Sequence, residues 1–152
     1  MTAEIKKLDP TGRKILNILQ HQGRLSFSQI GQQVGLTGPA VAERVRRMEM
    51  DGLIQGYHAR IDPDAAGLPI RAFIRLRTTP ERYDRLLAAL QNVPEVLECH
   101  HVTGEDAFYL RVAAATMGAL ESVIARLSPF GTTATAMILS TPLQRQPPIE
   151  ET

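Results

Sequence analysis

The chain has 152 residues, of which 43% are hydrophobic, 22% charged and 5% aromatic, an ordinary globular composition with room for one domain or two small ones. That apolar content excludes wholesale disorder, and the single cysteine, Cys99, excludes an intramolecular disulfide and a thiolate cluster for zinc or iron-sulfur. The net charge of +1 hides an imbalance: nine basic residues stand against five acidic ones before residue 61, a surplus of +4, and the rest of the chain carries −3, as expected of a polyanion-binding module joined to something else.

In chain order, Asp9 followed by Pro10 predicts a helix start, and Ile15, Leu16, Ile18 and Leu19 give that helix an apolar stripe ending near Gly23. Ser26 precedes Gln29 at capping-box spacing and opens a short helix that Gly35 stops. Thr37 then caps a third helix with Pro39 in its first turn, and Val41, Val45 and Met48 lie on its inner side. Two short helices joined through Gly35-Leu36 form a helix-turn-helix. Residues 53–61 read as extended chain, and Asp62-Pro63-Asp64, Gly67 and Pro69 break it.

From Ile70 the period becomes two: Ile70, Ala72, Ile74 and Leu76 alternate with Arg71, Phe73, Arg75 and Arg77. Thr79-Pro80 caps a helix with Tyr83, Leu86, Leu87 and Leu90 on one face, and a strand follows from Val96 to Thr103. After a turn at Gly104-Glu105-Asp106, a strand carries Phe108, Leu110 and Val112 on one side. Thr116 starts a helix with Leu120, Val123, Ile124 and Leu127 inward, and Thr132 to Ser140 is the last strand. The fold class is therefore α+β: an N-terminal, winged-helix-like helix-turn-helix domain, then a ferredoxin-like βαββαβ sandwich with both helices on one face. The expected organisation is a DNA-binding domain over 1–56, an extended linker strand over 57–68, the sandwich over 69–141 and a flexible tail over 142–152.

The other sheet face shows Phe73, Tyr109 and, from the last strand, either Ala134, Ala136 and Ile138 or Met137 and Leu139. It is too apolar for open water, and a second copy of the same sheet is the simplest cover, so a homodimer with Phe73, Tyr109 and Met137 in its interface is expected. No apolar run approaches the roughly 18 residues of a membrane helix, and Glu4, Lys6, Lys7 and Asp9 replace the apolar core of a signal peptide. A cytoplasmic protein without a membrane partner is expected.

The strongest functional signal is the segment from Leu36 to Glu49. At 100 degrees per residue, Val45 and Met48 fall beside Val41, while Pro39, Glu43 and Arg46 fall opposite, with Arg44 and Arg47 on one flank. Such a helix can enter a major groove, so the candidate DNA contacts are Ser26, Ser28, Gln29, Thr37, Gly38, Pro39, Glu43, Arg44, Arg46 and Arg47. The small residues at the helix start offer little to base edges, leaving Glu43 and Arg46 as direct readers and Arg44 and Arg47 on phosphates or bracing the helix. A degenerate, AT-rich, two-fold symmetric site follows.

The chain resembles the Lrp/AsnC (leucine-responsive regulator/asparagine-regulator) family of bacterial and archaeal transcription factors. The resemblance is carried by Leu8-Asp9 with Ile15-Leu16, Gly23-Arg24, the runs 34–37, 43–49 and 52–57, Asp62-Pro63, Gly67 and Val102-Thr103-Gly104, in order and at fixed spacing. It implies a DNA-binding front domain and a ligand-responsive αβ-sandwich that dimerises and assembles further, to octamers for example. It also implies an effector turn where dimers meet. Two positions depart from the family: Gly12 stands where an acid usually opens helix one, and Ala107 stands three residues after the effector-loop glycine, where many members have aspartate.

The expected effector is an amino acid, held near His101, Thr103, Gly104, Glu105, Asp106 and Phe108: Gly104 admits close backbone approach to its carboxylate, and Glu105 or Asp106 accepts from its ammonium. His100 and His101 point to opposite faces of a strand, Cys99 and His101 share one face without a third ligand, and no nucleophile or phosphate-loop motif occurs. No catalytic residue, metal or cofactor is expected. The rival readings are a nucleoid-type architectural protein without effector, and a small ligand-binding or metabolic enzyme.

Overall fold

Asp9 begins the first helix as expected: its carboxylate accepts from the Gly12 N–H at 2.9 Å, and α1 spans Pro10–His21. A computed structural model describes residues 8–149 of the chain; the parts of the expected front domain and tail at 1–7 and 150–152 lie outside the described residues. α2, Phe27–Val34, starts on a complete capping box, Ser26 accepting from Gln29 N while the Gln29 side chain accepts from Ser26 N. Gly35 ends it at φ +72°, a left-handed position that favours glycine. α3, Gly38–Met50, is capped by Thr37. Ile15, Ile30, Val41 and Val45 are fully buried together, one from each of α1 and α2 and two from α3, with Leu19, Leu25, Leu36 and Ile54 packed around them.

The chain divides into two compact units between Ala59 and Arg60, with residues 144–149 grouped with the first. Within that first unit Gln20 Nε2 donates to the Pro147 carbonyl at 3.1 Å, and the tail has no helix or strand as far as residue 149. The extended linker strand expected over 57–68 is corrected. No described residue from 53 to 69 joins a sheet, and residues 62–68 instead form turns, with Leu68 N donating to Pro63 O at 2.8 Å. The segment is extended in composition, but it makes no ladder with any strand of the sheet, and an extended chain is a strand only where it is paired.

The second unit contains β1 (Ile70–Arg77), α4 (Tyr83–Leu90), β2 (Val96–His101), β3 (Phe108–Ala114), α5 (Met117–Leu127) and β4 (Thr132–Met137). The strands form one antiparallel sheet in the order β2-β3-β1-β4, the arrangement of a ferredoxin-like βαββαβ fold. Ala72, Ile74 and Leu76 of β1 and Leu110, Val112 and Ala114 of β3 are buried against Leu86 of α4 and Leu120, Val123 and Leu127 of α5. Both helices thus cover one face.

Four local expectations change. Thr79 makes no capping hydrogen bond, because Pro80–Arg82 form a 3-10 turn before α4, and Leu87 is exposed rather than inward. β4 ends at Met137, although Ile138 N still donates to Arg71 O at 2.9 Å. Met137 is the consequential correction: it pairs with Ala72 and so lies on the helix-covered face at the sheet edge, away from Phe73 and Tyr109. The open face is completed instead by Ala136 beside Phe73 and Ala134 beside Arg75.

On that open face Arg111 Nη2 donates to Glu98, which also meets His100 Nε2 at 3.1 Å. Hydrogen bonds first from Arg111 and then from His100 hold the Glu98 carboxyl down at about 2, against 4.5 ordinarily. A depressed carboxyl stabilises the fold fully above about pH 4.5 and progressively less as pH falls through about 2. Glu98→Gln should therefore flatten the acid limb of thermal stability. Because the side chain is 44% exposed, solvent screening limits the change in melting temperature to about 1–3 °C. Parallel melting curves for parent and variant across that window would contradict the assignment.

Candidate nucleic-acid interface and effector turn

α3 presents its outer side because Val41, Val45 and Met48 are buried behind it. At its start Gly38 passes so close to α2 that an added Cβ would stand 2.8 Å from the Ser28 hydroxyl, so Ser28, Thr37, Gly38 and Pro39 come together at one helix N-terminus. Ser26 and Gln29 are exposed beside them but engaged with each other in the capping box.

The arginines divide into two kinds. Arg44 Nη1 donates to both Asp9 carboxylate oxygens, at 2.9 and 2.8 Å, which ties α3 to the start of α1. The Gly12 N–H, and after it Arg44, hold the Asp9 carboxyl below the usual carboxylate range. Gly12 has a structural reason: a Cβ there would lie 2.8 Å from Asp9 Oδ1 and 3.3 Å from Met48 Cε. The cap that the family's missing acid would strengthen is supplied by Asp9. Arg46 and Arg47 point outward, and both reach Glu43, Arg46 through a short ion pair and Arg47 Nε at 3.4 Å. One carboxylate thus restrains two exposed cations at once.

Farther along the helix Tyr57 donates to Glu49 at 2.8 Å. Burial, and then that carboxylate, push its hydroxyl up to about 12. The contact fastens the chain beyond α3 to the helix itself.

The expected effector turn lies in the second unit, between β2 and β3. Gly104 sits at φ +116°, a conformation other residues rarely adopt, and Val102 N donates to Ala107 O at 3.0 Å to close the turn. Ala107 is buried and its N–H donates to Leu76 O, so the family's usual acidic position is here part of the packing. The acids move one and two residues back. Glu105 meets Arg77 Nη2 at 2.5 Å, and Asp106 lies 3.6 Å from Arg75 Nη1 and 4.0 Å from Arg77 Nε. Arg75 and Arg77 were missed in the sequence; their signal was two arginines on the outward phase of β1, running up to the acidic turn.

Phe108 and His101 are placed differently from Thr103, Gly104, Glu105 and Asp106. Phe108 is only 3% exposed because β3 alternates from the core outward starting at this residue. His101 stacks on it at 5.0 Å, and Tyr83 closes on both edge-on. Through its register with Leu76 this pair lies on the helix-covered side of the sheet, opposite the side that carries Arg75 and Arg77. Among the described residues no group of histidine, cysteine and carboxylates could hold a metal ion, and burial pushes the Cys99 thiol up.

An AsnC-type helix-turn-helix domain matches residues 8–49, and the Lrp/AsnC ligand binding domain matches residues 71–148. The chain belongs to the Lrp/AsnC family of helix-turn-helix transcriptional regulators. Within that family it is 37% identical over 121 residues to the transcriptional regulator LrpA of Mycobacterium tuberculosis, covering 79% of this chain and 81% of that one. It is 31% identical over 134 residues to LrpC of Bacillus subtilis, covering 88% and 93%. Among solved structures, B. subtilis LrpC superposes with a TM-score of 0.86 at 29% identity, over 91% of this chain and 99% of that one. The feast or famine regulatory protein of M. tuberculosis, complexed with L-methionine, superposes at 0.87 with 34% identity, over 94% and 99%.

Proposed function

We propose that this Lrp/AsnC protein acts in the cytoplasm as a homodimer-based assembly whose grip on double-stranded DNA is set by an amino acid bound at the turn 103–106. The observation that carries the reading is the pairing of Glu105 and Asp106 with Arg77 and Arg75. A free amino acid carries the same two charges, a carboxylate and an ammonium. It can exchange into such a set, its carboxylate to an arginine and to the backbone at Gly104, its ammonium to Asp106. The methionine complex of the mycobacterial relative supports an amino acid as the class. Dimers that meet at this turn and assemble further, to octamers for example, would pass ligand binding on to the spacing of their DNA-binding heads.

In the DNA-bound state Glu43 releases Arg46 and Arg47; Arg46 and Glu43 meet base edges, while Arg47 meets phosphate. Arg44 remains on Asp9 as a brace. Arg47→Ala should weaken binding to all sequences alike and reduce the slope of log affinity against log salt by about 1. A sequence-selective loss with an unchanged salt slope would place Arg47 on a base instead.

A thermal-shift screen with the common amino acids tests the effector, since a ligand specific for the folded state raises the melting temperature. One or a few amino acids should do so, and Asp106→Ala should abolish the response while leaving DNA affinity without ligand within about threefold. An unchanged response in both Asp106→Ala and Glu105→Ala would remove the effector from this turn.

A further inference from the structure

Beside α2 and α3 the front unit carries an open groove of about 410 Å³ lined by Phe27, Pro39, Ala42 and Val45, with Glu43, Arg46 and Glu49. Phe27, the first residue of α2, is 41% exposed and stands outside the group of residues packed into the helical core. Its ring, on α2, thus lies open beside the outer side of α3, next to Pro39 and Ala42. Two carboxylates in the lining disfavour phosphate, so the groove suits base edges rather than the DNA backbone. In the major groove only thymine offers a 5-methyl group, while an exocyclic amino donor is offered by adenine and by cytosine alike. The carboxylates can accept from the amino group of either pair, so it is the apolar floor of Phe27, Pro39 and Ala42 that favours the thymine-adenine pair, through the methyl group.

We propose that Phe27, Pro39 and Ala42 read thymine methyl groups in the major groove, with Glu43 accepting from the neighbouring adenine amino group, so that Phe27 is a specificity-determining residue. The inference rests on the DNA-binding reading of the helix-turn-helix, and it gives the expected AT preference a direct chemical component in addition to DNA shape.

The test compares the full chain on an alternating adenine-thymine duplex and on its adenine-uracil twin, which lacks only the methyl groups, by fluorescence anisotropy. Removing the methyls should weaken binding about fourfold for each methyl covered. Phe27→Ala should weaken binding to the thymine duplex, leave the uracil duplex unchanged and so abolish the difference. Phe27→Leu, which keeps an apolar floor and a helix-compatible side chain, should retain most of the preference. Equal affinity of the parent for both duplexes, or equal weakening of both by Phe27→Ala with the helical circular dichroism intact, would overturn the proposal. Failure of the parent to bind either duplex would instead overturn the DNA-binding reading beneath it.

Discussion

Phe73→Asp is expected to convert the protein from an assembly to a monomer in sedimentation at micromolar concentration, or to unfold it. Phe73 and Tyr109 are 44% and 38% exposed on the sheet face that no helix covers. Burying the remainder across a two-fold axis contributes on the order of 1–2 kcal/mol per ring, doubled by symmetry. Ala136 beside Phe73 and Ala134 beside Arg75 are small enough to let a second sheet approach. An aspartate at position 73 would face Arg111 directly across the β1–β3 pair, so a single chain can accommodate the charge. Between two sheets the same charge would be desolvated twice. Sedimentation of the parent as a folded monomer at that concentration would show that the open face needs no second copy.

Gly31→Val should cost the front unit its recognition geometry while leaving the second unit folded. A Cβ on Gly31 would stand 2.4 Å from the Leu36 carbonyl oxygen and 3.3 Å from the carbonyl carbon of Thr37. These are backbone atoms of the turn into α3, and they cannot swing aside as a side chain can. The turn is further pinned by Leu36 N donating to Gly31 O at 2.9 Å. Overpacking of this kind costs about 1–3 kcal/mol or more, and displacing α3 by even an ångström should reduce DNA affinity more than tenfold. Near-parental affinity would mean that the turn can shift without moving the helix.

What the sequence made legible was local chemistry. The caps at Asp9, Ser26, Thr37 and Thr116 all form, because each is settled within three residues of chain. The alternation of β1 placed Ala72, Ile74 and Leu76 inward and Phe73 outward for the same reason. Partners distant in sequence were not legible. The last strand offered two phases, and only its register against β1 puts Met137 on the covered face. Residues 53–61 have an extended composition, but strand formation depends on a neighbour that the composition does not encode. The site divides the same way: Gly104 and the two acids could be read as a turn, whereas the bond from Arg44 to Asp9, 35 residues away, could not.

The central claim is that an amino acid controls DNA binding. It is tested most directly by the anisotropy of a labelled AT-rich duplex titrated with the full chain at fixed salt, alone and with each common amino acid in turn. At least one amino acid should change the apparent affinity by about five-fold or more, the size of an ordinary allosteric coupling. Tight, salt-sensitive binding that no amino acid alters would contradict the account and favour an architectural DNA-binding protein.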